Sequence, residues 1–293
     1  MGAGLYDAAF AALGKLYGRD ARAPITNLTL FGGFASTVCW PLSALLAETF
    51  GWRGACLIYA AMHLAISLPL QVAVLPPLSA GRPHRPHASS AGPDAERARP
   101  AQSIPHQRAI FALLALVLTV SAGIGSIVVV HLLIFLQARG ADFALAVTLG
   151  TLFGPAQVGA RLVERLFGAR YHPIWTMVAS CALMLIGLAL LLGEFAILAL
   201  AILLYGGGYG IMWIARGTLP LSLFGPDRYA TLMGRLAFPS LIVQALSPAA
   251  GAWLIERCGA DVTMGVLTVF AAVNVGLIAA LWMLCRSSMG REP

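Results

Sequence analysis

Residues 109–136, AIFALLALVLTVSAGIGSIVVVHLLIFL, contain no Asp, Glu, Lys or Arg. At a helical rise of about 1.5 Å per residue such a run outreaches the roughly 30 Å hydrocarbon layer of a bilayer, so it reads as a membrane-crossing helix. The reading extends outward in both directions. Charged and Pro/Gly clusters divide the chain into nine apolar stretches, 3–17, 25–47, 54–75, 109–136, 143–163, 172–192, 195–219, 232–254 and 262–284. The expectation is an all-α polytopic membrane protein with nine transmembrane helices. A lipid-embedded barrel is a poor alternative, because these runs are too long and too continuously apolar for alternating strands, and their Ala and Leu content favours helix. Composition agrees: of 293 residues 59% are hydrophobic and 11% charged, with mean hydropathy +0.83. Soluble chains carry about 25% charged residues, and this one cannot cover itself with polar groups in water.

The first stretch is short. Met1 to Tyr17 would cover only about 25 Å at helical rise and has no basic leader, so it reads as a helix whose beginning is cut away rather than as a signal peptide. Basic residues set the expected topology. With loops alternating between two sides, Arg53, Arg139 and Arg257 fall on one side and the other basic residues, out of 19 in all, on the opposite one. The positive-inside rule makes the basic side cytoplasmic and the chain a multi-pass protein of the cell membrane, a bacterial inner membrane. This bias and anionic headgroups account for the net charge of +7, leaving no need for nucleic acid as a partner.

Pro76, Pro77, Pro83, Pro86, Pro93, Pro100 and Pro105, interleaved with Arg, His, Ser and Gly, mark 76–108 as a cytoplasmic linker. It separates 1–75 from a six-helix part, 109–285, which a cytoplasmic tail follows at 286–293. The parts also echo each other. Gly18 to Gly51, with Arg22, Pro41 and Glu48, is repeated in 226–259, with Arg228, Pro248, Glu256 and Gly259; Glu48 to Glu256 and Gly51 to Gly259 share an offset of 208. Such internal symmetry suits a transporter built from two similar halves, and on this register three helices would be missing ahead of Met1.

Three segments carry a resemblance: AETFGWRG from Ala47 to Gly54, HLLIFLQARG from His131 to Gly140, and GARLVERLFG from Gly159 to Gly168. In the last, Gly159, Glu164, Arg165 and Gly168 follow a glycine, acid, arginine and glycine order, with each glycine one residue farther from the acid than the usual pattern. With the repeat and the central linker, these segments make the chain from Met1 to about Met283 similar to helices four to twelve of the major facilitator superfamily. The resemblance implies an incomplete two-bundle fold and a secondary active transporter, in fragment form, that moves a small organic solute by alternating access, as a monomer when complete. The alternative is a truncated, non-transporting membrane remnant of such a carrier.

Ionisable groups inside spans are costly and mark functional positions by default. Asp7 stands alone in the first stretch, and the 208-residue offset sets Arg216 opposite Ala8, so the two charges are expected at similar depth and able to pair. In the resembled family these helices line the cavity and meet when the carrier opens outward, so a pair there would latch a gate. Arg216 could instead clamp a carboxylate or phosphate of the solute, or snorkel to headgroups. An imidazole in water titrates near neutral pH, so His131, with Gln137, could couple protons or contact solute. Asn27, Tyr209, Tyr205, Trp213 and the Trp40–Pro41 kink would shape a pocket if they face inward, and His63 reads more as packing. Glu164, Arg165 and Arg161 read as a gating cluster. Gly206, Gly207, Gly208 and Gly210 permit either a flexible helix or close packing, and Gly32 and Gly33 do the same more weakly. Cys39, Cys56, Cys181, Cys258 and Cys285 show no metal or disulfide spacing, and no phosphate-binding loop or nucleophile motif occurs. No enzyme activity and no cofactor are expected. The partners implied are a small organic solute, protons and membrane lipids.

Overall fold

Backbone amides in hydrocarbon have no water to bond, so a spanning segment must close its hydrogen bonds within itself, and a helix does so. The computed structural model describes residues 2–74, 107–193 and 197–289, and they are helical nearly throughout. In chain order the helices are α1 (Gly2–Tyr17), α2 (Arg22–Met62), α3 (Leu68–Val74), α4 (Gln107–Ala138), α5 (Phe143–Thr151), α6 (Phe153–Phe167), α7 (Pro173–Leu191), α8 (Leu198–Phe224) and α9 (Pro226–Met289). A single π turn, His63–Ser67, joins α2 to α3.

The expectation of nine transmembrane helices is corrected. Six helices among the described residues are long and apolar enough to cross a membrane: Leu45–Leu70, Gln107–Ala138, Phe143–Phe167, Pro173–Leu191, Leu198–Phe224 and Arg228–Arg286. The chain is thus an all-helical, multi-pass membrane protein with six such helices among its described residues. Three features account for the difference. Helix α1 has only 16 residues. The stretches 25–47 and 54–75 are not divided by a loop, since within Arg22–Met62 their helical parts meet directly at the non-helical Gly51. Likewise 232–254 and 262–284 both lie in the 64-residue α9. The chain turns at one glycine in each of these helices, Gly51 (φ 67°, ψ 169°) and Gly259 (φ 85°, ψ 165°). A lone residue at positive φ, which glycine adopts without steric cost, ends one helical stretch and begins the next without a polar loop. The two glycines 208 residues apart therefore share one backbone conformation. The expected linker 76–108 lies outside the described residues as far as 106, as do the side chains of Trp40 and Pro41 and the tail beyond Met289.

The chain forms two compact units, 1–34 with 104–293, and 35–103. In the first, α4 packs along α9, α7 along α8, and α6 against α8, while α1 lies against α9 and α8. Lipid is as apolar as leucine, so burial alone does not hold these helices together; close contact and hydrogen bonds must. One apolar core gathers Val128, Phe135, Leu188, Tyr205 and Leu267, and another Leu114, Met177, Leu219 and Leu281. Polar ties thread them: Ser180 donates to the Gly208 carbonyl at 2.8 Å, and Asn274 donates to Ser121 Oγ at 2.8 Å. At the other end of α4, Arg139 donates to Asp261 at 2.6 Å. In the second unit Ser43 and Tyr59 share a hydrogen bond of 2.7 Å, and His63 and Ser67 one of 3.2 Å.

Helix α8 runs unbroken through Gly206, Gly207, Gly208 and Gly210, all buried. Neighbouring helices occupy the space their side chains would need. A Cβ on Gly208 would lie 2.8 Å from backbone atoms of Ser180 and Met184 on α7, and one on Gly210 would lie 2.7 Å from the Gln157 backbone on α6. Because the obstructing atoms are backbone, a side chain here must move a helix. Overpacking of about 1–3 kcal/mol exceeds the roughly 1 kcal/mol that alanine gains over glycine in a helix. Gly210→Ala is therefore expected to lower the thermal unfolding midpoint in detergent. Gly159→Ala, at a helical glycine with nothing within 4 Å, is expected to leave it unchanged or raise it. An equal response at both positions would mean that α6 does not press on α8.

Candidate functional site

The most buried charge, Arg216, meets a buried carboxylate where α1, α8 and α9 converge. Arg216 of α8 is 2% exposed and Asp7 of α1 is 7% exposed. Arg216 Nε donates to Asp7 Oδ1 and Nη2 to Oδ2, both at 2.9 Å, and Nη2 also donates to Ser240 Oγ of α9 at 3.0 Å. The Ser240 hydroxyl is within 3.0 Å of the Leu236 and Ala237 carbonyls, so its proton turns back onto its own helix and its oxygen is left to accept from Arg216. The geometry is the two-pronged fork of guanidinium on carboxylate. Neither ion alone would be tolerable in a site this dry, whereas the pair is neutral overall.

Close packing positions the pair. Gly217, next to Arg216, lets α1 approach: a Cβ there would lie 2.8 Å from Ile25 and 3.0 Å from Phe10. Tyr229 donates to the Gly217 carbonyl at 2.7 Å, and its ring rests on Gly14. Tyr6 stacks between Phe10 and Trp213, with ring centroids 5.6 and 5.5 Å away, and the Arg216 guanidinium lies 5.6 Å above the Trp213 ring.

Arg161 forms a second centre. It lies within α6, not on a loop, and is 3% exposed. Its Nη1 donates to the Thr29 carbonyl of α2 at 2.7 Å, its Nε to the Gly210 carbonyl of α8 at 3.0 Å, and its Nη2 to Gln157 Oε1 at 3.3 Å. Among the described residues no carboxylate pairs with it, so neutral oxygens alone solvate this cation. Gly33 leaves room for its guanidinium, and Gly32 for the Tyr6 hydroxyl.

At the end of α6, Glu164 accepts from Thr176 of α7 at 2.8 Å and faces Arg22 at 3.6 Å. Arg22 donates to the carbonyls of Gly168 and Tyr171, the latter at 2.7 Å, and so binds the start of α2 to the α6–α7 turn. Arg165, exposed, donates to Asn27 Oδ1 at 2.8 Å. His172 caps α7, its Nδ1 accepting from the Ile174 amide at 3.2 Å. Partial burial, then the nearby Arg22 charge, hold this imidazole below its usual pKa, which keeps the ring nitrogen an acceptor.

The remaining sequence candidates are dispersed. His131 is buried on α4, and its Nδ1–H donates to the Ile127 carbonyl at 3.0 Å. Gln137 is exposed near the end of α4. Tyr209 is half-buried against Gly125, with Tyr205, Phe153 and Trp213 rings within 6.4 Å. Among the described residues the buried Tyr205 hydroxyl has no hydrogen-bond partner. Sequence reading missed Ser240 and Tyr6 as companions of the ion pair, and Thr29 and Gly210 as acceptors for Arg161. Hydroxyls and carbonyls recur all along apolar helices, so nothing in their spacing distinguished these.

No known protein family matches the chain, and no curated protein is similar to it.

Proposed function

We propose that this membrane protein is a secondary carrier of the major facilitator kind, moving a small organic solute by alternating access, with Asp7–Arg216 as both latch and coupling element. The observation that carries the reading is the buried two-pronged ion pair between α1 and α8, helices that the internal repeat matches. A proton delivered to Asp7 removes the charge that holds Arg216, and the freed guanidinium can then take a carboxylate or phosphate on the solute. Proton and anion would travel together, one replacing the other's partner at a single site. Arg161, solvated only by neutral oxygens, keeps the neighbourhood positive and favours an anionic solute. His131 is less suited to coupling, because its Nδ1–H is spent on its own helix.

The moving parts in this reading are 1–75 and 109–285, joined by 76–108, with the Arg22–Glu164 and Arg165–Asn27 ties as cytoplasmic gate contacts. No catalytic step belongs to it. The test uses the full chain in vesicles with an imposed proton gradient and a panel of labelled monocarboxylates and phosphorylated solutes. Asp7→Asn is expected to reduce gradient-driven uptake of a transported solute at least tenfold, about 1.4 kcal/mol in the barrier. Undiminished uptake in that variant removes Asp7 from coupling.

A further inference from the structure

The starts of α4 and α9 and the end of α8 enclose a groove of about 500 Å³ lined by Gln107, Arg108, Phe111, Phe224, Arg228, Thr231, Leu232 and Arg235. On α9 the positions 228, 231, 232 and 235 follow the helical period, so they form one stripe along the groove wall. Among the described residues, Arg108, Arg228 and Arg235 are exposed and make no hydrogen bond or ion pair, whereas Arg22, Arg139, Arg161, Arg165 and Arg216 have oxygen partners. No carboxylate lines the groove among the described residues. Three cations gathered here repel one another unless an anion joins them. The N-termini of α4 and α9 add partial positive charge at the same place.

We infer that this groove binds the phosphate headgroup of an anionic phospholipid from the surrounding bilayer. A phosphate in the groove would meet three guanidiniums, each able to bind it through two N–H groups, together with the polar tips of Gln107 and Thr231. A free phosphate would satisfy the same charges, yet the apolar wall distinguishes the two sources. Phe111 and Phe224 lie edge to face with centroids 6.2 Å apart, and with Leu232 they give the start of an acyl chain a surface to follow. The groove lies at helix ends, where headgroups sit, and on the side that the basic bias assigns to the negatively charged cytoplasmic leaflet. The inference needs only a membrane-embedded chain and does not rest on the carrier reading.

Native mass spectrometry of the full chain in mild detergent, titrated with phosphatidylglycerol, phosphatidylcholine or inorganic phosphate, tests it. Each surface arginine contributes about fivefold to binding an anionic lipid, so the triple variant R108Q/R228Q/R235Q is expected to bind phosphatidylglycerol roughly a hundredfold more weakly. R257Q, which removes an exposed arginine from the side expected to be opposite, should bind it as the parent does. Phosphatidylcholine should bind all of them weakly and alike. If the triple variant does not fold, the three single variants carry the test, each with a fivefold loss. Unchanged affinity in the variants overturns the inference. Displacement of the lipid by inorganic phosphate at equal concentration overturns the lipid source and leaves a soluble-anion site.

Discussion

Asp7→Ala should lower the free energy of unfolding by about 3–5 kcal/mol, the cost of leaving a buried charge without its partner. Arg216 would keep its hydrogen bond to Ser240, but one hydroxyl cannot offset a guanidinium at 2% exposure. The double variant Asp7→Ala/Arg216→Met should lose distinctly less than the sum of the singles, because it removes both charges and fills the arginine's place with an apolar chain of similar length. Reversible unfolding in mixed detergent, measured as a double-mutant cycle, gives the coupling directly. A coupling below about 0.5 kcal/mol would mean that the two groups are solvated separately, as an exposed pair would be. A coupling of several kcal/mol fits the proposed latch, since a contact of that strength can hold a two-state carrier in one state and release it when a proton or an anion replaces a partner.

Arg161→Ala should cost a comparable amount, about 2–4 kcal/mol, from hydrogen bonds to a charged group worth about 1.5–3 kcal/mol each and from the cavity left by a long side chain. Arg161→Lys should recover little. Nε, Nη1 and Nη2 each reach a different oxygen, on α8, on α2 and on α6 itself. A lysine ammonium is a single point on a flexible stem and cannot serve all three directions at those distances. Arg165→Lys, at an exposed contact with Asn27, should change stability by under 1 kcal/mol. Unfolding midpoints of these variants in one detergent check the ordering. An Arg161→Lys protein as stable as the parent would show that charge alone, not the fork, is needed at this position.

Part of this site was legible in the sequence. The repeat offset led to the expectation that Asp7 and Arg216 could pair, and the two side chains do meet. Glu164, Arg165 and Arg161 were grouped together by their spacing on one segment. Yet Arg161 turns inward to backbone carbonyls of α2 and α8, while Arg165 turns outward to Asn27. They lie four positions apart, so both could have shared a face; the approach of α6 to α2 at Gly33 and to α8 at Gly210 separates their roles. The count of spans was misread for a related reason. Charged clusters near Gly51 and Gly259 look like loops, but at each place a single glycine in a non-helical conformation lets two helical stretches meet without a polar loop between them.

Hydropathy and helical period belong to the chain taken in order, so the membrane setting and the helical class followed from composition and spacing alone. Partners belong to the packed molecule. In lipid the outer face of a helix is as apolar as its inner one, and no periodicity says which side is buried. Only the tertiary structure therefore decided that Ser240 completes the ion pair, that Arg161 rests on carbonyls, that the α8 glycines receive the backbones of α6 and α7, and that three arginines from two distant helices share one groove.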